Sequence, residues 1–464
     1  MSPVARLLTL LALFPALAVA GEVPPPLGQP RDFSLPGRET VALDNGLQVT
    51  FIDYGIVPKV TVLAVVRTGN VDDGPSTWLV DLTTEMMKEG AGGLAAADIA
   101  RRAADMGGEL FAAAGSEQTS VGMSVLSEHA PEAAALVAAV LRQPAFPPEQ
   151  LPRIVANLQR GVAVALSDPG SIASRALYEM LYPGHPFGRL LPSPEQLAAY
   201  TIEDLREFHR RNFGARRTHV YVAGRYDRAE IERALRTAFS GWSAGAPPTD
   251  DPPRATGGLR VRLIDRPGAP QSVIRMALTA PDPTRPDYLS FSVMNTLLGG
   301  PLFSRIVSSL REEKGYAYSP GTSLDVWRRA GLWTFDAEVA TADTAAALEE
   351  TFRQVERLRA EPPAAGELAA VKNYRSGLFV ISNSSPGGVL GQLAFVDLHG
   401  LPDDYLTTWV ARVNALTPDQ LTAAAAARLD LSGATVVIVG DLAKIEDGIR
   451  ALPQFRTADI VTQR

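Results

Sequence analysis

Thr201-Ile-Glu-Asp-Leu205 followed by Val220-Tyr-Val-Ala-Gly224 is answered downstream by Thr417-Pro-Asp-Gln-Leu421 followed by Val436-Val-Ile-Val-Gly440, and both ends are offset by 216 residues. The register extends upstream. Val155-Ala-Asn157 with Gly161 returns as Val371-Lys-Asn373 with Gly377 at the same offset, and Pro169-Gly170 returns as Pro386-Gly387 one residue out. Isolated matches carry little weight, but several in one register over about 70 residues imply two copies of one domain of roughly 200 residues. The length agrees: 464 residues with 46% apolar content can fill two cores, where a single core would be unusual.

Within the first copy, alternating apolar residues from Thr40 to Phe51 around Asn45-Gly46 predict a hairpin, and a further strand is expected from Lys59 to Thr68. Helices are expected over Asp72–Glu89 and Leu94–Met106, then a strand pair around Leu110–Ala114 and Ser120–Leu126. Further helices are expected over Glu132–Leu141 and Pro148–Leu166, with Asp168-Pro169 as cap and first-turn proline of the next. A helix after Thr201 and a strand over Thr218–Gly224 close the copy. Ser240 to Gly258, with four prolines among Gly, Asp and Thr, has linker composition, and the same order restarts at Leu259. The expectation is an α+β fold of two homologous domains, residues 39–239 and 259–464 joined by the linker 240–258. Each is an antiparallel sheet layered with helices, and the two face one another across a cleft.

Met1 to Arg6, an apolar run from Leu7 to Leu17 and Ala18-Val-Ala20 before Gly21 have the layout of a cleavable secretory signal over residues 1–20. A proline-rich arm, residues 21–38, follows. No later apolar run reaches about 18 residues, so no transmembrane segment is expected in the mature chain. The mature protein is expected to be exported and soluble. A net charge of −7, from 51 acidic and 44 basic residues without long runs, offers no footprint for nucleic acid. The absence of cysteine excludes a thiol nucleophile and any thiolate metal site.

The most specific segment is Leu298-Gly-Gly300-Pro-Leu-Phe-Ser-Arg305-Ile-Val-Ser-Ser-Leu-Arg311-Glu-Glu-Lys-Gly315-Tyr-Ala-Tyr318-Ser319. Its spacing predicts an amphipathic helix over Leu302–Lys314, stopped by Gly315, with Tyr318 opening the next strand and able to point the same way as Arg311. This segment closely resembles the second-half signature of the pitrilysin/insulinase-type metallopeptidases, a family that includes mitochondrial processing peptidase and bacterial two-subunit relatives. Gly107-Gly108-Glu-Leu-Phe-Ala-Ala-Ala114 and Pro183-Gly-His-Pro-Phe-Gly188 also fit the resemblance. It implies that Arg311 and Tyr318 reach toward the backbone of a bound peptide, where a guanidinium and a phenol can donate to a carbonyl or a developing oxyanion.

Active members of the family carry His-x-x-Glu-His on the first long helix, two imidazoles for zinc and a carboxylate as base. Here the helix reads Trp78-Leu-Val-Asp81-Leu-Thr-Thr84-Glu85-Met86, which puts Asp81 and Glu85 at the histidine positions and Thr84 at the base. The family's third ligand is a carboxylate on a later helix, yet Gln150 to Ser167 contains no Asp or Glu. Carboxylates at Asp81, Glu85 and Glu89 stack on one helix face and could suit a hard cation, but with Lys88 nearby the expectation is a solvated acidic stripe. His129, His185, His209, His219 and His399 form no pair at ligand spacing, and no Gly-x-Ser-x-Gly elbow is present.

The resemblance therefore implies a division of labour. This chain would have no catalytic residue of its own and bind no metal; zinc is expected in a partner subunit of the same fold. The expected role is a noncatalytic, substrate-binding subunit of an exported zinc metalloendopeptidase heterodimer, periplasmic by analogy. It would contribute Arg311 and Tyr318 to a shared chamber for an extended or unfolded peptide, with Gly107–Ala114 lining that chamber. The alternatives are a scaffold or peptide-binding protein without a proteolytic partner, and an autonomous hydrolase with an unrecognised site.

Overall fold

Alternating apolar strands build two six-stranded sheets that share the order of five strands. In the computed structural model, which describes residues 34–464, the first sheet comprises β1 (Arg38–Ala42), β2 (Gln48–Asp53), β3 (Lys59–Val66), β4 (Leu110–Ala114), β5 (Thr119–Leu126) and β6 (Thr218–Gly224). Their order is β1-β2-β6-β3-β5-β4. The second comprises β7 (Arg260–Asp265), β8 (Gln271–Ala280), β9 (Gly321–Trp327), β10 (Ala330–Ala340), β11 (Thr435–Gly440) and β12 (Asp459–Gln463), ordered β12-β7-β11-β8-β10-β9. The strands noticed as a repeat, β6 and β11, take the same place in the two sheets. The signal sequence expected over residues 1–20, and residues 21–33 of the proline-rich arm, lie outside the described residues.

The sheets are antiparallel apart from the pairs β2/β6, β7/β11 and β7/β12, which are parallel. This makes each sheet mixed, with antiparallel pairs in the majority. It has a simple cause: the helices between β2 and β6, and between β7 and β11, return the chain to the same end of the sheet before the new strand starts. The outermost strand also differs between the copies. β1 reaches β2 through the Asn45-Gly46 hairpin, with Gly46 at φ +90°, whereas β12 follows β11 in the chain and joins β7 in parallel.

Helix caps repeat along with the strands. Thr201 and Thr417 each close a capping box, with Asp204 and Gln420 as the third-position partners. Asp168 and Ser385 cap the helices Pro169–Leu181 and Pro386–His399, each with proline in its first turn. Those two helices cross over. Pro169–Leu181, from the first half, lies on β8 and β11 of the second sheet, while Pro386–His399 lies on β3 and β6 of the first. Ala173, Ala176, Leu177 and Leu181 share one buried cluster with Val273, Ala277, Val437 and Val439.

Polar contacts reinforce the exchange. Asp397 on the second helix accepts from Tyr221 Oη and lies 3.1 Å from His219 Nδ1, Arg67 Nη2 donates to Leu398 O at 3.0 Å, and Tyr54 Oη donates to Asn383 O at 2.7 Å. At the hairpin tips the Arg328 backbone N–H donates to the Glu117 carboxylate at 2.9 Å. Residues 240–258 contain no helix or strand. They run back along the exchanged helix, where Thr256 N donates to Leu181 O at 2.8 Å.

Two helix expectations are corrected. The helix expected over Asp72–Glu89 is Leu79–Met87, because Trp78 adopts φ +64° and the chain before it turns through Asn70–Asp72. Over Leu302–Lys314 only Arg305–Val307 is α-helical, and Ser308–Glu313 forms a π-helical turn. Leu302, expected on the apolar face of that helix, is instead exposed, as is Phe303.

The exchange makes a stability prediction. Leu177 is 1% exposed among side chains of the opposite half, so Leu177→Ala should cost about 2–5 kcal/mol. Urea unfolding monitored by far-UV circular dichroism checks it, and a loss below about 1 kcal/mol would mean that the helix does not hold the halves together.

Candidate functional site

The helix Leu79–Met87 starts under the control of a carboxylate that lies outside it. Asp73 accepts from the backbone N–H of Val80 at 2.8 Å and of Trp78 at 3.0 Å, so it caps the helix from several residues upstream. Asn70 Nδ2 donates to Asp73 at 3.2 Å and to Asp81 at 2.7 Å, joining the cap to the first helical turn. Burial pushes the Asp73 carboxyl up to about 7 against these donors, and burial likewise raises Asp81, with Asn70 opposing. Gly69 is required just before this turn. A Cβ there would lie 2.3 Å from Gly115 O, on the loop joining β4 to β5.

These contacts decide what the positions of the inverted zinc motif can do. Asp81 is held by Asn70. Thr84 is 1% exposed, and among the described residues its hydroxyl has no hydrogen-bond partner. Glu85 pairs with Lys88 at 2.9 Å, and Glu89 with Arg153 at 2.6 Å. The expected solvated acidic stripe is therefore corrected: its carboxylates are held by an amide, a lysine and an arginine. The later helix, Leu151–Ser167, carries no carboxylate, and its Arg153 is spent on the Glu89 pair. Among the described residues, no group of three or more His, Cys, Asp or Glu side chains is placed to hold a metal ion. The donor set does not fit zinc.

The five histidines serve packing and local bonding. His209 Nε2 donates to Leu141 O at 2.8 Å between the rings of Phe146 and Phe213, and burial pushes it down to about 4. His185 Nδ1 accepts from Phe187 N at 3.2 Å, and His129 lies 3.7 Å from Glu128. His399 is 7% exposed with neither ring nitrogen bonded, and burial lowers it to about 4. His219 stands between Asp397, 3.1 Å from Nδ1, and Thr50, 2.7 Å from Nε2. This carboxylate–imidazole–hydroxyl chain has the order of a hydrolytic triad. However, Thr50 is 3% exposed and shares its hydroxyl with Thr40 at 2.7 Å, so no substrate carbonyl can reach it.

Arg311 and Tyr318 are brought together. The π-helical turn widens the backbone ring there: Lys314 N bonds to Ser309 O at 3.1 Å, and Gly315 at φ +68° ends the helix. The Arg311 guanidinium lies 4.8 Å from the centre of the Tyr318 ring, within cation–π range. Its Nε is 3.1 Å from Glu312, and Tyr318 is 76% exposed. Tyr318 does not open a strand as expected; it lies in the loop before Gly321, where β9 begins. Among the described residues, neither side chain makes a hydrogen bond or ion pair with the Leu79–Met87 helix.

A pocket of about 460 Å³ opens between the halves. Trp78 approaches from the start of the degenerate helix and Asn70 from the turn before it, Tyr178 and Phe187 from the exchanged helix and the turn after it, and Asp325 and Trp327 from β9. Trp327 contacts the rings of Tyr178, Tyr182 and Phe187 at centroid distances of 5.2–6.4 Å. This aromatic lining was missed in the sequence, since its members are scattered and share no period. The only hint was Pro183-Gly-His-Pro-Phe-Gly188. β4 is an edge strand, paired with β5 alone among the described residues, and Phe111 on it is 44% exposed. Its other edge can accept an extended chain.

The family profile described as "Insulinase (Peptidase family M16)" matches residues 57–195, and that described as "Peptidase M16 inactive domain" matches residues 199–374. An uncharacterized zinc protease of Mycobacterium leprae is 29% identical over 297 residues, 62% of this chain and 66% of that protein. A crystal structure of a peptidase M16 inactive domain from Pseudomonas fluorescens superposes with a TM-score of 0.80 at 23% identity, covering 87% of this chain and 98% of the other. A protease from Helicobacter pylori superposes with a TM-score of 0.81 at 16% identity, covering 88% and 100%.

The neutral His209 predicts an acid dependence. Its folded pKa, about 4, lies below the ordinary value near 6.5, so the unfolded chain takes up the proton first. The associated stability is complete above pH 6.5 and is lost as pH falls toward 4, about 3 kcal/mol in all. His209→Gln should remove that share of the difference between urea unfolding at pH 7 and at pH 4.5. An unchanged difference would mean that His209 is charged in the folded protein.

Proposed function

Because the chain belongs to the insulinase (M16) peptidase family, we propose that it is the noncatalytic, substrate-binding subunit of an exported zinc endopeptidase, paired with a zinc-bearing subunit of the same fold. The observation that carries this reading is an asymmetry in how the two sets of side chains are used. At the positions of the zinc motif, Asp81 and Glu85 are engaged inside the chain and Thr84 is enclosed. Arg311 and Tyr318 remain in contact with each other, with the tyrosine exposed.

The chemistry assigned to this chain is grip and orientation. An extended peptide adds as a strand to the free edge of β4, where main-chain hydrogen bonds give affinity with little dependence on sequence. The Arg311 guanidinium and the Tyr318 hydroxyl donate to a peptide carbonyl, and the cation–π contact between them limits the rotamers each must give up on binding. The ion and the base that activate water belong to the partner. Export by the amino-terminal signal, with the periplasm as destination, completes the proposal.

Co-expression with a zinc-bearing subunit tests it. The mixture should cleave a quenched fluorescent peptide that neither chain cleaves alone, and Arg311→Ala or Tyr318→Phe in this chain should lower kcat at least tenfold. Full activity of the partner alone, or normal turnover by both variants, would refute the shared chamber.

A further inference from the structure

A second pocket lies in the helical layer of the second half, away from the cleft and the degenerate helix. Helices Tyr288–Gly299, Ala365–Ser382, Pro386–His399 and Tyr405–Ala415 surround a space of about 440 Å³. Its walls are aromatic, formed by Tyr288, Phe379, Phe395, Tyr405 and Trp409, and Phe379 stacks on Trp409 at 4.6 Å. Among the described residues, no aspartate or glutamate lines it.

Arg375 lines this space without a counter-charge. Its Nη2 donates to Ser292 Oγ at 2.9 Å, and the guanidinium lies 5.3 Å from the Trp409 ring centre. Its Nε is enclosed and has no hydrogen-bond partner, and among the described residues no carboxylate pairs with it. A second cation, Arg412, lies 5.5 Å from the ring centre of Tyr405, one of the lining residues. Burial disfavours the charged form of Arg375, yet a guanidinium keeps its proton under all ordinary conditions. An unpaired cation held among aromatic rings is costly to fold, and the arrangement becomes favourable when an anion enters.

We propose that this pocket binds a monocarboxylate carried on an aromatic or branched aliphatic body, either a free acid or the C-terminal residue of a peptide. The planar guanidinium matches a carboxylate in a two-point contact. One lining cation balances one negative charge, whereas a phosphate dianion would call for more donors than the pocket holds. The stacked rings cover the apolar body, and Gln392 and Ser382 at the lining can bond an adjoining amide.

Isothermal titration of the full chain with N-acetyl-L-phenylalanine, its amide and the tripeptide Gly-Gly-Phe provides the test. The free acid should bind at least tenfold more tightly than the amide, a comparison that requires no variant. Tripeptide binding as tight as that of the acid would identify the source as a peptide C-terminus, and exclusion of the tripeptide would identify it as a free acid. Arg375→Met, which keeps the aliphatic stem, should weaken binding at least tenfold while leaving the melting temperature unchanged or higher, because an uncompensated charge is removed. No binding of either acid at millimolar concentration, or equal binding of acid and amide, would overturn the proposal. So would a lowered melting temperature in Arg375→Met with binding intact, the signature of a purely structural arginine.

Discussion

Each half of this protein covers part of its sheet with a helix belonging to the other, and the rest of the architecture depends on that exchange. Pro169–Leu181 buries its small and aliphatic face on the second sheet, and Pro386–His399 lies on the first. A buried leucine contributes roughly 1.5–3 kcal/mol on removal from water, so the apolar face of one such helix can outweigh the entropy of fixing two domains in one orientation. The polar contacts of Asp397, Leu398 and Asn383 then select the register in which the second helix lies. A pocket formed by residues from both halves can keep one shape only because these helices prevent the halves from sliding.

The same constraint shapes the cleft. Tyr178 and Phe187 enter it because the exchanged helix and its following turn bring them against Trp327 on β9, and the Glu117–Arg328 contact clamps the hairpin tips beside them. On the first half, the short helix that would carry a metal motif is held instead by a network of its own. Asp73 caps it, Asn70 ties the cap to Asp81, and Lys88 and Arg153 neutralise the outer carboxylates. Each of these carboxylates already has a partner, so this helix serves as a structural wall.

Two arginines of the second half illustrate how one residue type takes different parts. Arg311 lies on a π-helical turn and faces an exposed tyrosine, where solvent screens its charge. Arg375 is enclosed by rings, where the low local polarity leaves its charge poorly compensated. The first is suited to a ligand that comes and goes along the surface, and the second to a small anion that fills a defined space.

Much of the fold was legible in the chain itself. The repeated caps at Thr201 and Thr417, the alternating strands and the linker composition act through hydrogen bonds and periodicities spanning a few residues, and the two sheets follow from them. That Asp81, Thr84 and Glu85 do not spell His-x-x-Glu-His is likewise read from residue type alone. Other features required the tertiary structure. The break at Trp78, the π-helical turn at Arg311, the crossing of two helices and the unpaired state of Arg375 arise from contacts between segments tens to hundreds of residues apart. Local pattern carries no record of such contacts, because a side chain's partners, and therefore its charge balance and accessibility, exist only once distant elements have packed.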